Sequence, residues 1–283
     1  MTDTITQTQR RVAWTGRGMA ASDGAGVKLT RVIGQPALPD LDPFLMLDEF
    51  GSDDPKAYIA GFPDHPHRGF ETVTYMLAGR MRHRDNKGNQ GLLTAGSVQW
   101  MTAGRGIVHS EMPEQEEGLM QGFQLWLNLP AKDKMTAPRY QDIPPEAIPV
   151  ARPSEGVEVK VIAGALAGVR GPVEAGATEP FYADFSLAPG AVVEVPLPEA
   201  HNAFAYVYEG SAEVGQPAQA LTRGTIAVLA PGSRVRLASA QGGRLILVAG
   251  KPLREPVAKY GPFVMNTQAE LREAFADYQA GKF

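Results

Sequence analysis

Leu93-Thr94-Ala95-Gly96-Ser97-Val98 recurs as Leu221-Thr222-Arg223-Gly224-Thr225-Ile226, and the same offset places Ala103-Gly104 on Pro231-Gly232. Upstream, Val73-x-Tyr75-x-x-x-Gly79 matches Phe204-x-Tyr206-x-x-x-Gly210 at a slightly larger offset, so the hairpin between the two matched pieces is shorter in the second copy. Both copies alternate apolar and polar residues with a period of two and break at glycine, which is the pattern of antiparallel strands joined by turns. A repeat of this length indicates one supersecondary unit used twice. The expected fold is all-β, with two barrels or double-sheet jelly rolls in tandem.

The pattern extends outward from the repeat. Met81 to Asp85 alternates before the turn Asn86-Lys87-Gly88-Asn89, and Phe123, Leu125, Leu127 and Leu129 form an apolar face with Gln124, Trp126 and Asn128 opposite. Prolines 138, 144, 145 and 149 interrupt the periodicity, as a non-helical linker would. Alternation resumes at Val157, Val159 and Val161 and returns at Phe181, Ala183 and Phe185. These observations divide the chain into a first β domain over residues 1–135, a Pro-rich linker over 136–150 and a second β domain over 151–283. The second domain ends in a helix predicted from the capping-box pair Thr267 and Glu270, the stripe Leu271, Phe275 and Tyr278, and the stop at Gly281.

Composition narrows the function. The chain of 283 residues has a net charge of -4 and no cysteine. That excludes disulfides, zinc-thiolate sites, iron-sulfur clusters and thiol nucleophiles. No Lys/Arg-rich block points to nucleic acid or an anionic membrane, and neither an apolar signal core nor a run of the ~20 residues that cross a bilayer is present. A cytoplasmic protein is expected.

His65-Pro66-His67 and His109-Ser110-Glu111 share i, i+2 spacing, which puts each pair on one face of a strand. Two such pairs on neighbouring strands converge inside a barrel. Carried through the repeat, His65 and His67 fall on Pro196 and Pro198, and His109 and Glu111 on Leu237 and Ser239, so the second copy lacks every ligand. Three imidazoles and one carboxylate suit Fe(II), Mn(II), Co(II), Ni(II), Cu(II) or Zn(II), and the lack of thiolate argues against a closed structural zinc site. One divalent ion is expected, with iron as the preferred occupant. His83, between Arg82 and Arg84, reads as solvent-facing, and His201 as an ordinary surface or partner-bonded histidine.

With these motifs the sequence resembles the pirins, a branch of the cupin superfamily. The resemblance rests on Asp42-Pro43-Phe44-Leu45-Met46-Leu47-Asp48-Glu49-Phe50, on the stretches 62–73 and 99–113 around the histidines, and on Tyr260-Gly261-Pro262-Phe263-Val264-Met265-Asn266-Thr267. It implies a bicupin whose second barrel is degenerate. In most cupins the glutamate at the position of Glu71 completes the metal site. The pirin pattern instead assigns that role to Glu111, leaving Glu71 as a supporting or structural group.

The same resemblance implies two functions of different classes. One is flavonol dioxygenation, in which the heterocyclic ring of quercetin is opened by O2 and carbon monoxide is released. The other is regulation of a transcription factor or metabolic enzyme without catalysis. For the enzyme, Glu111 is the catalytic base for the flavonol 3-hydroxyl, and Phe50, Phe62, Met101, Phe123 and Trp126 are candidate walls for a flat ligand, although each also reads as plain core. For the regulator, the acidic loop 114–117 and a ligand-free second barrel offer a protein partner a surface. A monomer is expected, because the second barrel can cover the first as a second subunit would.

Overall fold

Strands dominate because Val, Ile, Phe, Tyr and Thr recur at alternate positions between glycine turns. The computed structural model describes residues 8–174 and 176–283. The chain forms two cupin barrels, each a compact unit. In the first, a seven-stranded sheet runs in the order Arg139–Ile143, Val98–Thr102, Phe70–Ala78, Met120–Asn128, Phe44–Ser52, Val27–Ile33, Met19–Asp23. A four-stranded sheet packs on it in the order Phe62–His67, Ile107–Pro113, Met81–Asp85, Gln90–Leu93. Val27, Leu29, Phe50, Met76, Met81, Leu93 and Met120, drawn from both sheets, form one apolar cluster that closes one side of the barrel. The turn at 86–89 joins its two strands as the sequence reading expects.

The second barrel is built on Asn202–Val214, Gly243–Gly250, Phe181–Leu187 and Val157–Ala163. The register confirms the repeat. Val73 pairs with Trp100 and Leu125 in the first barrel, as Phe204 pairs with Val228 and Val248 in the second. One continuous apolar cluster, from Ala151 to Ala249, forms the core of the second barrel.

The compact units cut the chain differently from the expected 1–135, 136–150 and 151–283. One unit comprises Met19–Ala147 and Leu253–Phe283, while the described residues up to Gly18 cluster with Ile148–Pro252. Strand Val12–Arg17 is the reason at one end: it pairs antiparallel with Thr225–Leu229, with Trp14 opposite Val228. Within the expected linker, Arg139–Ile143 is a strand paired to Val98–Thr102. Pro138 and Pro144 flank it and so remove none of its ladder hydrogen bonds.

The helix forms as predicted. α1 (Gln268–Gln279) starts at a capping box in which Glu270 N donates to Thr267 Oγ1 at 3.2 Å and Thr267 N to Glu270 Oε2 at 2.8 Å. It packs on the first barrel rather than the second. Leu271 and Ala274 are buried with Ala258, Phe263, Met265 and Phe283, and Val108 of a first-barrel strand packs against the same cluster. Of the predicted stripe, Phe275 is half-buried and Tyr278 exposed. No helix among the described residues is long and apolar enough to cross a membrane.

Candidate metal centre

His65 and His67 sit on Phe62–His67, and His109 and Glu111 on the adjacent Ile107–Pro113. The two strands are antiparallel, with His109 opposite His65 and Ile107 opposite His67, so the three imidazoles meet. Their ring centroids are 4.4 to 5.1 Å apart, and a ligating atom from each lies within 4.8 Å of the others. His67 and His109 are buried, at 3% and 1% exposure, and His65 is half-buried.

Burial is the largest cause that keeps His67 and His109 neutral. It pushes His109 down to about 4, with Glu111 opposing and His65 and His83 adding to the effect. His67 falls well below the usual histidine range for the same reason, helped by His109 and His65. His65 Nδ1 lies 2.8 Å from the Pro63 carbonyl and is the ring nitrogen that carries the proton, leaving the Nε2 lone pair for a ligand. Both nitrogens of His109 and Nδ1 of His67 are buried without a hydrogen-bond partner. Three imidazoles gathered in this way, with unpartnered ring nitrogens on the two buried and neutral ones, fit a divalent transition metal.

Glu111 is not in the group whose ligating atoms lie within 4.8 Å. The strand register slips between His109 and Glu111, which faces Phe62 across the ladder, and the carboxylate turns to the opposite sheet. There it accepts from Thr74 Oγ1 at 2.9 Å and from Gln124 Nε2 at 2.9 Å. Trp126 Nε1 lies 3.5 Å from the oxygen of the same amide. Gln124 and Thr74 escaped the sequence reading, because an amide and a hydroxyl on a strand carry no distinctive spacing. Glu71 accepts from Thr102 Oγ1 at 2.7 Å and is buried, which raises its pKa.

His65 and His67 line a cavity of about 820 Å³ within this unit. Phe50, Phe62, Met46 and Trp126 supply much of its apolar wall, and Arg31 and Asp48 a polar stretch. Arg31 is clamped there by Asp48 at 2.8 and 2.9 Å and by Asp23 at 3.0 Å. Met101 and Phe123, the other expected walls, do not line it. Met101 packs with Ala103, Ile107 and Tyr140, and Phe123 is wholly buried.

His83 differs from its sequence reading, whereas His201 has a carboxylate neighbour, one of the two readings the sequence allowed. His83 is 1% exposed and pairs across the ladder with Glu111, with Nε2 3.2 Å from Asp142 Oδ2. Strand parity explains this: Arg82 and Arg84 point to one face and Met81, His83 and Asp85 to the other. His201 is buried at 6% exposure, with Nε2 3.9 Å from Glu179 Oε2 and its carbonyl accepting from Arg10 Nη2 at 2.9 Å.

The second barrel lacks the ligands at positions the register identifies. Leu237 pairs with Val193 and Val235 with Val195, as His109 pairs with His65 and Ile107 with His67. The counterparts of His65 and His67 are therefore Val193 and Val195, not Pro196 and Pro198. All of Val193, Val195 and Leu237 lie in the apolar core.

Comparison with known proteins agrees with this architecture. A family model described as Pirin matches residues 26–127, and one described as Pirin C-terminal cupin domain matches 182–283. A pirin-like protein of Caulobacter vibrioides is 51% identical over 94% of this chain and 96% of its own length, and human pirin is 45% identical over 92% and 89%. The crystal structure of a quercetin 2,3-dioxygenase from Acinetobacter baumannii superposes with a TM-score of 0.90 at 34% identity, covering 97% of this chain and 98% of that one.

Proposed function

This chain belongs to the pirin family, and from that premise we propose that it is a metal-dependent dioxygenase that opens the heterocyclic ring of a flavonol such as quercetin with O2. The reading rests on one observation, a cluster of three imidazoles two of which line an apolar cavity large enough for a three-ring ligand. The structural likeness to a quercetin 2,3-dioxygenase supports it.

His65, His67, His109 and Glu111 would hold one divalent ion, iron in our reading, although Mn, Co, Ni, Cu or Zn match the same donors. Bound there, the ion would supply Lewis acidity toward the flavonol 3-hydroxyl and a path for electrons to O2. The protein's part is binding, exclusion of water and control of one proton. Phe50, Phe62, Met46 and Trp126 offer apolar surface to a flat ring system. Glu111 would accept the 3-hydroxyl proton on a carboxylate oxygen, while Thr74 and Gln124 hold that carboxylate in place. In the overall reaction both atoms of O2 enter the depside, and the ring carbon bearing the 3-hydroxyl leaves with its oxygen as carbon monoxide.

The test is anaerobic purification with metal analysis, followed by measurement of quercetin loss and carbon monoxide release. Turnover is expected with quercetin and not with a flavone lacking the 3-hydroxyl. Metal-replete protein that binds quercetin without consuming it would overturn the enzyme reading. The weight would then pass to regulation, with the same pocket sensing metal or ligand for a protein partner.

A further inference from the structure

Arg68 and Gly69 follow directly on the histidine strand, and both are held by groups distant in sequence. The Arg68 guanidinium belongs to a residue only 3% exposed and is held on two nitrogens and one face. Its Nε donates to the Arg105 carbonyl at 2.6 Å, its Nη1 to Asp277 Oδ2 on α1 at 3.0 Å, and its Cζ lies over the Phe283 ring, 4.3 Å from the ring centre. The Arg68 backbone bridges to Phe263, with Val264 N donating to Arg68 O at 3.0 Å. At Gly69, φ is +90° and an added methyl would collide with the Val264 carbonyl, so only glycine admits that approach. The buried Lys134 ammonium then joins Gly69 O at 2.7 Å to Val264 O at 3.0 Å and Asn128 Oδ1 at 2.7 Å.

Arg105 belongs to the loop that leads into the strand bearing His109, so one side chain, next in sequence to His67, fastens both ligand strands and α1 to each other. We infer that Arg68 is a positioning residue for the metal site, and that the Leu253–Phe283 segment acts through it to hold His67 and His109 at ligating separation. The inference rests on the metal reading above. An alternative, that the segment contributes only to stability, predicts weaker folding with unchanged affinity in whatever protein remains folded.

The experiment titrates Co(II) into the full metal-free chain and records both the dissociation constant and the ligand-field bands. Wild type is expected to bind one Co(II), and His65→Ala none. Arg68→Leu should raise the Co(II) dissociation constant by about 10- to 100-fold, the range found when groups supporting metal ligands are lost, and should shift the bands. Should Arg68→Leu fail to fold, Asp277→Asn removes at constant shape the charge that pairs with Arg68 and, at the exposed end, with Lys282; about a 3- to 10-fold loss is expected there by the same mechanism, with Lys282→Met as the control that should leave affinity unchanged. Affinity within twofold of wild type in folded Arg68→Leu or Asp277→Asn, with unshifted bands, would overturn the positioning role and leave the metal reading standing. Wild-type protein that takes up no Co(II) would overturn both.

Discussion

Gln124 Nε2 donates to Glu111 Oε2 across 2.9 Å, joining the centre of the seven-stranded sheet to the ligand strand of the four-stranded one. A carboxylate that is 1% exposed needs such donors, because an unpaired charge in the interior is costly. Gln124 also lies in the cavity wall beside Trp126, so the residue that steadies Glu111 also borders the space a ligand would fill.

Gln124→Met removes the amide at similar volume and leaves Thr74 as the remaining side-chain donor to Glu111. Loss of a hydrogen bond to a buried charge costs about 1.5–3 kcal/mol. The expected result in denaturant melts of metal-free protein is a drop of that size with an unchanged m-value. Identical midpoints would show that Glu111 is not held in this way.

Glu71 and Glu111 are the two candidates for the carboxylate position in the proposed metal site. Glu111→Gln is expected to weaken metal binding more than Glu71→Gln in equilibrium dialysis. The two also separate by pH. Burial raises the Glu71 pKa above its ordinary 4.5. A folded state that holds its proton more tightly than the unfolded chain loses stability as pH rises above 4.5. Wild-type protein should therefore lose stability relative to Glu71→Gln as pH climbs from 4.5 toward neutrality. A difference that grows in the opposite direction would mean Glu71 is ionised and well paired.

His83 keeps its place because Gly91, its partner across the hairpin, has no side chain. A methyl on Gly91 would strike His83 Nε2 and approach Asp142 Oδ2 at 3.0 Å. Gly91→Ala should cost about 1–3 kcal/mol in thermal or denaturant melts, the usual penalty for forcing extra volume into a packed interior. A neutral outcome would require the imidazole to swing out to solvent, which exchange-sensitive NMR of the His83 ring would show.

These residues also show what could be read from sequence. The repeat around Leu93 and Leu221 revealed two barrels, and paired i, i+2 spacing brought His65, His67 and His109 together, because both signals are local. Pairing between residues far apart was invisible: nothing near Trp14 announces Val228 as its partner, and nothing near Asp277 announces Arg68. The offset that led to Pro196 failed because the two ligand-bearing strands carry different offsets from strand 70–78, and only the ladder aligns Val193 with His65. Burial of His83 depends on the empty side of Gly91, a fact of packing that no pattern of polar residues conveys.

The register makes a prediction about stoichiometry. Val193, Val195 and Leu237 fill the positions of His65, His67 and His109 with apolar side chains, so among the described residues the group suited to a metal ion lies in the first barrel. Metal analysis of purified protein should approach one ion per chain, and His65→Ala or His109→Ala should abolish binding. Two ions per chain would contradict the pairing. Both barrels have apolar clusters independent of the histidines, so chelation should leave the strand signature in far-UV circular dichroism intact. It should still lower the melting temperature of the first barrel, because a ligand at 100 times its dissociation constant stabilises the folded state by about 2.7 kcal/mol. Cooperative unfolding at room temperature on chelation would instead mark the ion as a structural element of the fold. The comparison is best made with His109→Ala, which should melt alike with and without metal.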